Sequence, residues 1–184
     1  MTEAELIERA KAGEGSAIRA LYERYAARVY STVRRLAGDD ALAEDWAQEA
    51  WVRALRALST FRGEARFSTW LHRIAVNSAL HGRRAQLRHA AREDPLPPSL
   101  ALAPSGDRTL LRLQLERALE RLPERMRHVL VLHDVEGYSH EEIGALLGIH
   151  PGTSKSQLFK ARARMRELLR AAPRPEREEA VCRT

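Results

Sequence analysis

Between Gly137 and Arg170 the chain reads GYSHEEIGALLGIHPGTSKSQLFKARARMRELLR, two amphipathic segments on either side of a short turn. Ser139 and Glu142 have the spacing of a capping box, in which two side chains satisfy two free backbone donors at a helix start. Ile143, Leu146 and Leu147 give the first helix one apolar face, and Gly148 can end it through a left-handed conformation. A second helix opens near Pro151-Gly152-Thr153, with Thr153 or Ser154 as its cap. From Thr153 to Arg170 it carries six Lys or Arg against a single acid, Glu167. Short helix, tight turn and basic helix together predict a helix-turn-helix, whose second helix lies in the DNA major groove. The plainer reading is a solvated basic helix on an ordinary bundle. Capping, turn and charge asymmetry agree on the former.

The net charge of +6 over 184 residues suits a polyanionic partner but does not by itself separate nucleic acid from an anionic membrane. No apolar run approaches the roughly 18 residues that a membrane span needs. The opening MTEAELIERAKAGEG is acidic and amphipathic, unlike a secretory signal, so a cytoplasmic protein without membrane insertion is expected. The single cysteine, Cys182, leaves no internal disulfide framework or cysteine-rich zinc site and reads as an incidental thiol. His72, His81 and His89 make no recognisable ligand set, so no metal or cofactor is expected. His128 and His133 are five apart and off a common helix face. With Asp134 they gain no nucleophile and no glycine-rich phosphate loop, so no catalytic residues and no enzyme are expected.

Helical spacing recurs along the chain and period-two alternation does not, which predicts an all-α fold. Helices are expected at Glu3–Ala12 (capped by Thr2 with Glu5), Ser16–Leu36, about Asp40–Leu58, Ser68–Leu87, Asp107–Arg121 and from Pro123 to Val135. The second has Ile18, Leu21, Tyr22, Tyr25, Val29, Val33 and Leu36 as its buried stripe. Ser59–Phe67 reads as a loop. Glu93–Ser105, EDPLPPSLALAPS, holds four prolines and no basic side chain, the composition of an extended linker. The expected organisation is one helical domain over 1–90, a flexible linker at 91–106, a helix-turn-helix domain over 107–172 and a disordered tail at 173–184.

Two further regions carry chemistry. From Phe61 to Arg92 seven arginines face one acid, Glu64, in a segment that also holds Phe61, Phe67 and Trp70. Basic groups neutralise phosphates, and aromatic rings beside them can stack on unpaired bases. Phe61, in a polar loop beside Arg62 and Gly63, is expected to be exposed and free to stack. Trp70 fits the core better than a contact. Asn77 shares a helix face with Trp70 and suits either a packing hydrogen bond or a base edge. Arg83 and Arg84 are candidate phosphate contacts or an ordinary basic helix end. In the other region, DDALAEDWAQEAWVRALRAL, Asp39, Asp40, Glu44, Asp45 and Glu49 crowd the first half. That polarity complements the helix dipole, and with Gln48, Arg53 and the two tryptophans it also suits a basic protein partner.

These three regions, in this order and across about Glu14 to Leu169, resemble a bacterial RNA polymerase sigma factor of the extracytoplasmic-function class. ALAEDWAQEAWVRAL is similar to the family's segment for the polymerase clamp helices, and FRGEARFSTWLHRIAVNSA to its promoter-melting, minus-ten-reading segment. LPERMRHVLVLHDVEGYSHEEIGALLGIHPGTSKSQLFKARARMRELL is similar to its minus-thirty-five-reading domain. The resemblance implies minus-ten contacts at Phe61, Ile74 and Asn77, with Arg62, Arg83 and Arg84 beside them. It implies minus-thirty-five contacts at Lys155, Ser156, Phe159 and Lys160, flanked by Thr153 and Arg162, and polymerase contacts at Asp45, Gln48, Glu49 and Arg53. Core polymerase (clamp helices and flap), promoter DNA and an anti-sigma factor are the implied partners. Ser154 stands where the family usually has an apolar residue, Gln157 where a basic one is frequent, and Trp46 and Trp51 are bulkier than the residues common there. The alternative is a stand-alone helix-turn-helix regulator acting on duplex operators, which leaves the acidic helix and the aromatic loop without a role.

Overall fold

The computed structural model describes residues 2–90 and 107–171, and every regular element among them is helical. Helices α1 (Glu3–Lys11), α2 (Gly15–Ala37), α3 (Asp40–Ala57) and α4 (Phe67–Ala90) form one group. Helices α5 (Asp107–Glu120), α6 (Glu124–Leu130), α7 (His140–Leu147) and α8 (Pro151–Ala171) form a second. The proline-rich stretch read as a linker (91–106) and the tail with Cys182 lie outside the described residues.

Local chemistry sets the helix ends. Glu5 N donates to Thr2 Oγ1 at 3.3 Å while Thr2 N donates to Glu5 Oε2 at 2.9 Å, the reciprocal pair expected at the start of α1. Gly38, at φ +74°, ends α2, and Asp39 Oδ1 then accepts from Leu42 N at 3.0 Å to start α3. Some starts differ from expectation. Helix α2 begins at Gly15 and α4 at Phe67, each one residue early, and Pro123 is the cap of α6 rather than part of it. Helix α8 opens at Pro151 as expected, but neither Thr153 nor Ser154 caps it. At α8 the cap is His150, whose Nδ1 accepts from Gly152 N at 3.1 Å. Thr153 is therefore free on the surface and Ser154 turns inward.

In the first group Leu21, Val29, Val33 and Leu36 of α2 pack on Ala43, Ala47 and Ala50 of α3 and on Leu71, Ala75 and Val76 of α4. Small residues on α3 allow the backbones close together, and burial of the branched side chains contributes about 1.5–3 kcal/mol each. Tyr22, expected in this stripe, is half exposed and lies against Trp51 with ring centroids 5.0 Å apart. Trp46 is buried where α4 presents Gly82: a Cβ at Gly82 would stand 2.4 Å from Trp46 Nε1. In the second group Val129, Val131, Leu132, Ile143, Leu158, Ala161 and Leu168 make the core. Between α6 and α7 the chain makes one turn of π-helix, Val131–Val135.

The two groups are docked on each other, an arrangement the sequence does not foretell. Arg127 lies over Gly38, where a Cβ would come within 2.6 Å of its guanidinium, and donates to Ala37 O at 3.3 Å and, more weakly, Leu36 O at 3.5 Å. His128 Nε2 is 3.1 Å from the same Leu36 O. A cation at the end of α2 complements its dipole. Yet Arg127 is buried and its Nε has no acceptor among the described residues, so the desolvation of the charge is poorly compensated. Around this centre Arg34 binds Glu120 at 2.5 Å, Arg83 binds Glu124, and Thr32 Oγ1 donates to Glu136 at 3.1 Å. His72 Nε2 stands 3.0 Å from Glu136 Oε2 without hydrogen-bond alignment. Such a polar junction with an incompletely satisfied charge is suited to opening.

Candidate nucleic-acid and protein interfaces

Helix α8 presents the cleanest surface. Leu158, Ala161 and Leu168 anchor one side, and Thr153, Lys155, Ser156, Phe159, Lys160 and Arg162 are all exposed on the other. Lys155, Phe159 and Arg162 follow the i, i+4, i+7 spacing of one face. The Phe159 ring is 74% exposed, an apolar group that the fold itself does not use. Lys155 and Lys160 project as free cations able to meet phosphates or base edges, as no ion pair joins either to another described residue. Arg162 differs: its Nε and Nη2 donate to Asp134 at 2.9 and 2.6 Å, and this pairing holds the Asp134 carboxyl below the usual carboxylate range.

The surface around α4 is less open. Phe61 corrects the expectation of a free stacking ring: it is only 8% exposed. Its ring packs at 5.4 Å against Phe67, edge to face, and at 5.3 Å against Trp70, with Lys11 Nζ 5.8 Å from its centroid. The polar neighbours Arg62, Gly63 and Glu64 conceal this in sequence, because the ring folds back onto aromatics six and nine residues ahead. Arg62 and Asn77 are exposed, and Ile74 is half-buried on the same helix. Arg83 is taken up by Glu124: Nε to Oε1 is 2.6 Å and Nη2 reaches Oε2, which lowers the Glu124 pKa and raises that of Arg83. Arg84 donates to Leu146 O of α7. The two arginines flank a cavity of about 300 Å³ between the groups, lined also by Leu80, Arg125, His128 and Leu147.

The acidic helix α3 is arranged as its sequence suggests. Trp46, Ala47, Ala50, Trp51 and Ala54 point inward, and Asp45, Gln48 and Glu49 point out. Arg53 Nε donates to Glu49 Oε1 at 2.7 Å, one turn along. Leu55 and Tyr22 add exposed apolar area nearby. An acidic face with apolar neighbours fits a basic protein surface and repels DNA.

Residues that sequence reasoning passed over are those of the docked junction, Arg127, His128, Glu124 and Glu136. Their partners are between 41 and 104 positions away, so no local spacing could reveal them. Burial lowers the pKa of both Arg127 and His128. Among the described residues no group of three or more His, Cys, Asp or Glu is placed to hold a metal ion, and no helix is long and apolar enough to cross a membrane.

Comparison with known proteins accounts for both helix groups. Residues 21–89 match the family model for Sigma-70 region 2, and residues 112–165 match that for Sigma-70, region 4. The chain is 38% identical to RNA polymerase sigma factor CarQ of Myxococcus xanthus over 167 residues, covering 89% of this chain and 95% of CarQ. It is 36% identical to the ECF RNA polymerase sigma-E factor of Escherichia coli K12 over 182 residues, covering 88% and 91%. Among solved structures, CnrH in complex with the cytosolic domain of CnrY is similar with a TM-score of 0.52 at 25% identity, over 91% of this chain and 97% of that one. With both regions matched, in order and along most of its length, the chain belongs to the extracytoplasmic-function class of sigma-70-type sigma factors, which direct core RNA polymerase to initiate transcription at specific promoters.

Proposed function

We propose a division of labour along the chain in which residues 1–90 bind polymerase and open the minus-ten element, and residues 107–172 read the minus-thirty-five element. Asp45, Gln48, Glu49 and Arg53 meet the clamp helices. Lys155, Ser156, Phe159 and Lys160 face minus-thirty-five DNA, with Thr153 and Arg162 at its margins. On the minus-ten side Arg62, Ile74 and Asn77 form the surface. Phe61 supports that loop from beneath, and Arg83 and Arg84 join once they exchange Glu124 and Leu146 for phosphates. What most supports this reading is the segregation of charge on one chain: an exposed acidic face on α3, and an exposed basic face with an unused aromatic ring on α8.

The chemistry needs no catalytic group of the protein's own. Phosphate contacts position the factor and base contacts select the site. Melting is driven by binding energy, since capturing an unpaired base offsets an unstacking cost of a few kcal/mol. The protein acts in the cytoplasm, with the core polymerase flap and clamp and with promoter DNA. An anti-sigma factor is a further partner, by analogy with the structurally similar sigma factor RpoE of Bartonella quintana, solved in complex with the anti-sigma factor NepR.

Transcription in vitro with purified core polymerase on genomic templates, with start sites mapped, tests this directly. Start-site-specific transcripts that require the protein are expected, along with poor binding to duplex promoter DNA by the protein alone. Tight duplex binding with no gain on adding core enzyme would replace this reading with the stand-alone regulator.

A further inference from the structure

Ser154 is fully buried in the first turn of the recognition helix, although its neighbours Thr153 and Lys155 are exposed. A buried hydroxyl without a partner is costly, and among the described residues this one is met by His140 Nδ1 at 2.9 Å, from the first residue of α7. The His140 ring is itself braced. It stacks on His133, with centroids 4.6 Å apart and planes inclined by 25°. His133 Nδ1 is 2.9 Å from Asp134 Oδ1, and Asp134 accepts the two hydrogen bonds from Arg162. His133 and Asp134 belong to the turn of π-helix after α6, which carries an extra residue relative to an α-helical turn.

The geometry points to His140 as a positioning residue that fixes the pitch of α8 through Ser154, braced by the stack on His133, and so sets how strongly the protein depends on minus-thirty-five sequence. Ser154 and Arg162 are eight residues apart, about 12 Å along the helix axis. Attachment at two separated points fixes tilt as well as translation, which one point does not. Lys155, Ser156, Phe159 and Lys160 lie between those points, so any change of tilt moves the groups that face the groove. The apolar packing of Leu158, Ala161 and Leu168 holds α8 to its domain regardless. The hydroxyl and its imidazole therefore act on aim more than on folding.

This inference rests on α8 reading the minus-thirty-five element, and the experiment separates the two. Full-length protein with core polymerase is assayed on paired templates that share a minus-ten element and carry either the cognate or a scrambled minus-thirty-five element. The ratio of transcripts is the readout. If the wild-type ratio is one, the assignment of α8 fails. Given a wild-type preference, Ser154→Ala and His140→Phe are each expected to reduce the ratio about three- to tenfold, the effect of removing one orienting hydrogen bond. The double variant should fall no further than either single one. His140→Asn, whose amide can occupy the Nδ1 position, should restore the ratio to within about twofold of wild type. Transcription from a template pre-melted at the minus-ten element should be unchanged in all variants. An unaltered ratio in Ser154→Ala and His140→Phe, multiplicative losses in the double variant, or His140→Asn behaving like His140→Phe would overturn the proposal. Should Ser154→Ala fail to fold, the two substitutions at the less buried His140 decide the matter.

Discussion

The two helices proposed to face DNA in this sigma factor are prepared to very different degrees. On α8 the groups that would meet DNA already stand in solvent, and the aromatic ring of Phe159 serves no part of the fold. Around α4 only Arg62 and Asn77 stand open, and three of the corresponding groups are engaged: Phe61 is buried among aromatics, Arg83 is bound to Glu124, and Arg84 to the backbone of α7. On the proposed assignment one helix is ready to dock on a duplex, and the other must be released before its arginines reach phosphate. Docking of the two groups would then weaken minus-ten binding more than minus-thirty-five binding, as suits a factor that opens DNA only on polymerase.

The sharpest way to break this comparison is to remove one phenylalanine from each side. Phe61→Ala empties a packed aromatic cluster and is expected to cost about 3–5 kcal/mol of stability, read by thermal or denaturant unfolding. Phe159→Ala should stay within about 0.5 kcal/mol of wild type by the same measurement. Equal stabilities would mean that Phe61 is not part of the core. Next in size, Lys155→Ala combined with Phe159→Ala should abolish preference for the minus-thirty-five sequence while leaving polymerase binding intact. A side chain that reads a base edge supplies about 1–3 kcal/mol of discrimination. Unchanged promoter preference would place the wrong face of α8 on DNA.

Asn77→Ala should preserve closed complexes but reduce open ones, seen as weaker permanganate reactivity of unpaired thymines. A template pre-melted at the minus-ten element should recover part of the activity, whereas equal impairment on both templates would make Asn77 a structural residue. The smallest effect concerns the docked junction. Burial depresses the folded-state pKa of His128, so the unfolded chain binds a proton more readily. His128 therefore contributes stability that is complete well above pH 6.5 and declines as the pH falls through the ordinary histidine range. Glu124, depressed by Arg83, adds stability that is present above its ordinary value of 4.5 and is lost only at lower pH. Burial depresses His72 at the same junction too, so acidification from pH 7.5 to 5.5 should lower the melting temperature through both histidines before the carboxylate matters. His128→Gln, which keeps a donor for Leu36 O, should flatten that slope. An unchanged slope would exclude His128 as a titrating group.

What could be read in the sequence was whatever depends on near neighbours. The capping boxes at Thr2 and Ser139, the left-handed exits at Gly38 and Gly148, and the inward and outward faces of α3 all follow from spacings of four residues or fewer. So does the exposed face of α8. Phe61 is not placed by its neighbours, because a polar loop says nothing of where its one ring folds, and the aromatics that receive it are on the next helix. Serine is commonly a cap, and the spacing offers Ser154 as one. His150 took that role instead, and a histidine 14 residues away made burial of the hydroxyl tolerable. The junction of Arg127, His128, Glu124 and Glu136 joins residues from opposite halves of the chain, beyond the reach of any local pattern.

The fit of Trp46 against Gly82 has a consequence for how this protein can change over time. With a Cβ at position 82 only 2.4 Å from the indole nitrogen, Gly82 cannot gain a side chain while Trp46 remains. Shrinking Trp46 first costs packing but leaves a chain that folds loosely, and a larger residue at 82 can then fill the space. The reverse order passes through an intermediate in which α3 and α4 are forced apart where they pack together. The two positions are open to mutation in one sequence of steps and closed in the other.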